Sequence, residues 1–125
     1  MNEPTEALKF ATPSLNAGEI YAGAIIQPDG RGHHVILLPV DNDDADWNAQ
    51  MQWAKSIGGD LPARIEQALF FQNLPDHFQK DWYWSNTLHA STSDYAWYQN
   101  FGIGYQDSRS STSKCRARAV RRSPI

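Results

Sequence analysis

Four histidines, a single cysteine and a run of aspartates are the residues whose types could carry out chemistry here. A zinc or copper site needs His, Cys or carboxylates at spacings that converge on one point. His33 and His34 are neighbours in a strand-like segment, so their side chains leave on opposite faces, and with His77 and His89 they show no ligand spacing. Cys115 stands alone, which excludes an intrachain disulfide and a zinc site built on cysteines. Asp41, Asp43, Asp44 and Asp46 in "DNDDAD" look like a calcium loop, yet the Gly of its sharp turn and its distal bidentate Glu are missing. "QPD" at 27–29 puts one carboxylate in a tight turn, against the roughly six to eight oxygens calcium takes. The expectation is no metal and no cofactor. No Gly-x-Ser-x-Gly elbow, phosphate loop or dinucleotide fingerprint occurs, and Cys115 reads as a packed thiol. A protein that is not an enzyme is expected.

Binding chemistry is offered by "YAWYQNFGIGYQDSRSSTSK", residues 95–114, together with "NTLHASTSDY", residues 86–95. The Ser, Thr, Gln, Asp and Arg after the aromatic strand bury too little apolar area to offset the cost of ordering them. They read as two polar loops, 86–94 and 105–113, flanking one strand and able to share a surface. Tyr with small polar residues is the composition of a paratope: wide contact from few rotors, and adaptable hydrogen bonds. The candidate ligand-binding residues are Ser91, Thr92, Asp94, Tyr98, Tyr105, Gln106, Asp107 and Arg109, for a protein or glycan ligand. Trp84 and Trp97 are expected in the core, with Tyr83, Tyr98 and Tyr105 half-exposed.

The elements that must position these residues follow from periodicity and turn chemistry. "IYAGAII" and "HHVILLPV" read as a hairpin closed by "QPDGRG". "DNDDAD" reads as a solvated acidic loop whose Asp46 caps a helix from Trp47, with a stripe of Trp47, Met51, Ala54 and Ile57 and a stop at Gly58–Gly59. "LPARIEQALFFQNL" reads as a second helix, with Pro62 near its first turn and Ile65, Leu69 and Leu74 as its apolar residues. Strands "DWYWSNT", "YAWYQNFGIGY" and "KCRARAVRR" complete the chain. The fold class is α+β, a small, mainly antiparallel sheet with two helices, over one domain at 18–125 behind an N-terminal arm at 1–17.

With 41% hydrophobic and 12% aromatic residues the chain suits a folded globular domain. The net charge of −3 divides unevenly: residues 1–113 carry −8 and residues 114–125 carry +5. An acidic body argues against a nucleic-acid partner, so the basic end is expected to pair with carboxylates of the same domain. No apolar run approaches the roughly 20 residues that span a bilayer, so no membrane partner is expected. The start of the chain lacks the basic and apolar regions of a signal peptide, implying synthesis in the cytoplasm.

In order along the chain, "GGDLPARIEQALFF", "DWYWSNT", "YAWYQNF" with "GY", and a closing "CRARAVRR" resemble the C-terminal domain of a collagen-like bacterial adhesin, a family widespread in phage and prophage genes. The resemblance spans residues 18–122. It implies a C-type-lectin-like fold, related to formylglycine-generating enzymes and to the variable proteins of diversity-generating retroelements. The enzymes among those relatives work through cysteines, whereas Cys115 is alone; the retroelement proteins bind ligands in the same late part of the fold. Two departures mark a divergent member: Ala63 where the family has Thr, and Gly59–Asp60 where it has Trp-Arg. The resemblance implies a phage or prophage recognition domain, in the virion or the host cytoplasm, as a homo-oligomer and commonly a trimer. The other reading is a small intracellular phage effector that sequesters or inhibits a host protein.

Overall fold

Ile20–Ile26 (β1) and Gly32–Ala45 (β2) form the first hairpin. Its turn uses the residues that favour one: Gly30 adopts φ +87°, and Asp29 accepts from the Arg31 amide at 3.0 Å. The computed structural model describes residues 11–125. Residues 1–10 of the expected arm lie outside the described residues, while the rest of that arm is held to the end of the chain. Arg121 donates to the Ser14 carbonyl at 2.8 Å and, through Nε and Nη2, to the Glu19 carboxylate at 2.9 and 2.8 Å.

The acidic run is not a loop. β2 continues through it to Ala45, with register shifts between Leu37 and Asp41 and between Asn42 and Ala45, against the last strand, Cys115–Pro124 (β6). Aspartates tolerate the strand because β6 brings cations to them: Arg116 reaches Asp41 at 2.9 Å and Asp43 at 3.2 Å. The expected pairing of the basic end is thereby present, Arg116, Arg121 and Arg122 each meeting carboxylates. Arg118 differs. It is buried, and its guanidinium goes to the His77 and Leu38 carbonyls, both at 2.6 Å.

Trp47–Ser56 (α1) starts where Asp46 accepts from the Ala49 amide at 2.8 Å. It stops in a Schellman turn: Gly58 at φ +83° donates to Lys55, and the Gly59 amide to Ala54. Trp47, Met51 and Ala54 pack inward as expected, but Ile57 is exposed and Gln50 is buried instead. The Gln50 amide donates to the carbonyls of Asp43 (2.8 Å) and Cys115 (2.9 Å) and accepts from Asn42 (2.8 Å), fastening the helix to β2 and β6.

Arg64–Asn73 (α2) packs Leu69, and Leu74 just past its end, against the core as expected, but not Ile65. Its buried residues are Glu66, Gln67 and Phe70, while Ile65 is 60% exposed. Glu66 is the cause. Its carboxylate receives Arg122 through two bonds of 2.7 Å, His33 Nε2 at 2.7 Å and the Ala63 amide at 2.7 Å. Ala63 has no side-chain acceptor, so Glu66 itself caps the start of the helix. A fully paired buried carboxylate outweighs the exposure of one Ile.

Trp82–Leu88 (β3), Tyr95–Asn100 (β4) and Gln106–Ser110 (β5) complete a six-stranded mixed sheet ordered β1-β2-β6-β3-β4-β5. Among the described residues only the β3–β6 contact is parallel, so they are of α+β class with two helices and a mainly antiparallel sheet. The helices lie on opposite faces. Cys115, Ala117 and Ala119 join Trp84 and Tyr98 beneath α1, while Val120 joins Phe70, Phe78, Tyr83 and Phe101 beneath α2. Tyr83, expected half-exposed, is 1% exposed: it donates to Asp41 at 2.5 Å, accepts from the Gln79 amide at 2.9 Å and stands edge-on to Phe78 and Phe101. Among the described residues no helix is long and apolar enough to cross a membrane.

Two carboxylates make this fold sensitive to acid. The Arg121 hydrogen bonds hold the Glu19 carboxyl down at about 2, from its usual 4.5. Burial raises Glu66, and the Arg122, Ala63 and His33 contacts more than reverse it, leaving it below its usual value. Both are depressed in the folded state, so their stabilisation is complete above the usual carboxylate value of about 4.5 and fades as pH falls below it, for Glu19 toward about 2. Melting temperature measured against pH will fall across that window. Glu19→Gln will lower it at pH 7 and shrink the acid-dependent drop; an unchanged drop would remove Glu19 from the account.

Candidate functional site

The eight residues expected to bind ligand divide among three places. Ser91, Thr92 and Asp94 are exposed at the β3–β4 loop, where the Asp94 carbonyl accepts from Ser111 at 2.8 Å and joins that loop to the β5–β6 turn. Tyr105 lies at the other end of the β4–β5 hairpin, five residue pairs away or roughly 17 Å at strand spacing. Residues 106–110 are therefore not a loop: they pair along β4, and Ser108, Arg109 and Ser110 are half-buried. β4 supplies the ladder hydrogen bonds that a row of small polar residues could not supply alone.

Alternation along the hairpin then separates the rest. Tyr98, Tyr105, Asp107 and Arg109 share the α1 side, and Gln106 takes the α2 side. Tyr98 is buried, correcting its expected exposure: its ring stacks on Trp82 at 4.8 Å, with Tyr105 edge-on at 6.3 Å. Burial, then the Tyr105 phenol, push the Tyr98 hydroxyl up to about 12. Arg109 lies over the Trp82 ring at 4.6 Å. Asp107 is exposed beside them.

The α2 side of the hairpin holds a cleft of about 390 Å³. α2 contributes Arg64, Ile65, Ala68 and Phe71, and the hairpin contributes Gln99, Gly104 and Gln106. Gly104 is fixed there twice over, by φ +95° and because a Cβ would sit 2.6 Å from the Phe71 ring. The Asn100 carboxamide oxygen accepts from the Gly102 and Ile103 amides and shapes the turn, and Ile103, next to Gly104, is 78% exposed.

Arg64 is held at this cleft rather than free. Its guanidinium stacks 3.6 Å from the centre of the Trp97 ring, and its Nε donates to Gln106 at 3.0 Å. The Gln106 amide donates back to the Arg64 carbonyl at 2.7 Å and to buried Gln99 at 3.0 Å, and Gln99 donates to the Gly104 carbonyl at 2.7 Å. These bonds occupy the amides, and Nε is the one Arg64 guanidinium nitrogen with a hydrogen-bond partner among the described residues, Nη1 and Nη2 having none. A stacked guanidinium with two idle donors is arranged to receive a carboxylate through both. Trp97 is thus a platform, half-buried under Arg64 and the stacked His89 ring, and not the core residue expected.

Sequence reasoning missed Arg64, Ile65, Ala68 and Phe71 as a surface. One signal pointed to it: the basic end needs acidic partners, and Glu66 is the one carboxylate in α2. Pairing it inward turns Ile65 and Ala68 outward. Among the described residues no group of three or more His, Cys, Asp or Glu could hold a metal ion. Burial pushes the Cys115 thiol up to about 12, which keeps it protonated near neutrality. A scan against protein-family models matches none of them, and a search of the curated proteins finds no match.

The two buried-indole expectations now separate. Trp84 is fully enclosed and donates to the Ala45 carbonyl at 3.0 Å, so Trp84→Ala will cost about 3–5 kcal/mol in chemical denaturation. Trp97→Ala removes a half-buried ring and one cation–π contact and will cost about 1–2 kcal/mol. Equal losses would return Trp97 to the core.

Proposed function

We propose that this chain is a non-enzymatic recognition domain of phage or prophage type, with a C-type-lectin-like scaffold, that binds a protein or glycan at the cleft between α2 and the β4–β5 hairpin. One observation carries the reading: Arg64 is locked on Trp97 with both Nη groups idle among the described residues, beside a recess lined by apolar side chains. A rigid cation next to an apolar recess is the construction of a binding site, because little ordering remains to be done when the ligand arrives. The scaffold assignment draws support from a mixed sheet with one helix on each face and from the last strand lying between β2 and β3.

The electrostatics favour binding over catalysis. The thiol of Cys115 and the phenols of Tyr83 and Tyr98 are each raised to about 12, burial being the first cause, so none is poised to exchange a proton near neutrality. The four arginines of the basic end are spent on carboxylates and carbonyls inside the domain.

The test is a screen of the purified protein against a glycan array and a displayed-peptide collection, repeated with Ile65→Asp. Ile65 is largely exposed, so the variant will keep its melting temperature. It will weaken the selected ligands by about tenfold or more. Ligands indifferent to Ile65→Asp would move the site elsewhere, and two empty screens would remove the recognition reading.

A further inference from the structure

Beyond the cleft itself, the hairpin exposes a second element of the same surface. Among the described residues β5 ends the sheet, so one side of its backbone has no described strand beside it. Which groups face that side follows from the ladder. The Asn100 amide donates to the Tyr105 carbonyl and the Ser111 amide to the Asp94 carbonyl. In an antiparallel pair hydrogen-bonded and non-hydrogen-bonded positions alternate, so Tyr105, Asp107, Arg109 and Ser111 face β4 while Gln106, Ser108 and Ser110 face away. The bonds these outward groups make agree. The Ser108 amide goes only to the side chain of the residue before it, Asp107, at 2.7 Å, and the Ser110 carbonyl is taken by the β5–β6 turn through Ser113 at 2.9 Å. The Gln106 amide and carbonyl and the Ser108 carbonyl have no backbone partner among the described residues.

Gln106 is where this open edge meets the cleft: its backbone faces the edge and its side chain holds Arg64. A strand added antiparallel to β5 would run from the Ser110 end toward Gln106 and arrive at Arg64. There β5 gives way to the turn at Gly104, so the added strand has no further backbone to follow. Resting on the recognition reading above, we propose that the ligand is a protein segment bound by strand addition to β5, ending in a free C-terminal carboxylate on the Arg64 Nη groups, with an apolar last side chain in the recess of Ile65, Ala68 and Phe71.

The chemistry of the recess selects this occupant over a glycan. Sugars stack on open aromatic faces, and the Trp97 ring already carries Arg64 at 3.6 Å and His89 at 5.4 Å. What remains is apolar: Ile65 and Ile103 are exposed and Phe71 is half-buried against Phe101 and Gly104, and these complement apolar side chains and offer no hydrogen bond to hydroxyls. The idle guanidinium donors supply charge complementarity to a chain end. Strand addition supplies main-chain hydrogen bonds, with alternate side chains giving selectivity.

The experiment uses a fluorescein-labelled pool of hexapeptides ending in Leu, Ile, Val or Phe with a free carboxylate, and the same pool amidated at the C-terminus. Fluorescence polarisation on the full chain will show the acid pool bound about tenfold or more tightly than the amide. Arg64→Gln will abolish that difference while leaving the melting temperature nearly unchanged. In the tightest single peptide, N-methylation of alternate backbone nitrogens will abolish binding in one register and spare it in the other. Equal binding of acid and amide overturns the carboxylate anchor, and tolerance of N-methylation in both registers overturns strand addition. A glycan that binds and is lost in Ile65→Asp, with no peptide binding, overturns this proposal and leaves the recognition reading standing. Silence from peptides and glycans alike removes both.

Discussion

The contact between Glu66 and Arg122 decides how this molecule meets its surroundings. A carboxylate that is 1% exposed must be paired, and here the pairing is complete: two guanidinium bonds, an imidazole and a backbone amide. Those partners come from β6, β2 and the segment before α2, so they determine the rotation of the helix about its axis as well as its place on the sheet. With Glu66, Gln67 and Phe70 inward, Ile65 and Ala68 must point outward, and Arg64 is delivered to the Trp97 ring. A purely apolar stripe would have buried Ile65 and closed the recess.

The uneven charge of the chain resolves along β6. Arg116, Arg121 and Arg122 answer the carboxylates of β2, the β1 entry and α2, while Arg118 is buried against two carbonyls and near the Phe78 ring. Burial lowers the Arg118 pKa, and its Nε has no partner among the described residues, so it holds the turn around His77 against β2 at some electrostatic cost. Like Arg118, Arg64 and Arg109 meet no carboxylate among the described residues, and these two lie on indoles of the same hairpin region: Arg64 over Trp97 on one face and Arg109 over Trp82 on the other. Arg109 also reaches toward buried Cys115 at 3.9 Å, whereas Arg64 opens onto the cleft.

What was legible in the sequence was whatever local chemistry decides. Asp46 as a cap, Gly58–Gly59 as a stop and "QPDGRG" as a turn act within a few residues, and each formed as its residues dictate. The segregated order of strands and helices was enough to read α+β. Illegible were the features settled by partners far along the chain. Asp41 and Asp43 became strand residues because Arg116, more than seventy positions later, neutralises them. "QDSRS" became a strand because β4 was there to pair with it, and Tyr83 went inside because Asp41 waited for its hydroxyl. For the site, Tyr105, Gln106 and Arg109 were singled out on composition, and composition is silent about which face each occupies. The recess depends on the turn of α2, and that turn depends on a basic residue near the chain end.

The composition of β5 bears on what an open edge can do. A bare backbone edge is a hazard, since any extended segment can pair with it, and proteins blunt such edges by making them short, polar and charged. β5 has all three traits: five residues, no aliphatic side chain, and Asp107 and Arg109 among them. An edge of this kind holds nothing by its backbone alone, because a few main-chain bonds exchanged for bonds to water contribute little net free energy. Affinity must come from an anchor beside it, and Arg64 with its neighbouring aliphatic side chains lies at one end of the strand. The same design that keeps the edge from indiscriminate pairing therefore makes it selective: a segment must bring both a charge and an apolar group to the Gln106 end before the backbone bonds add to its hold.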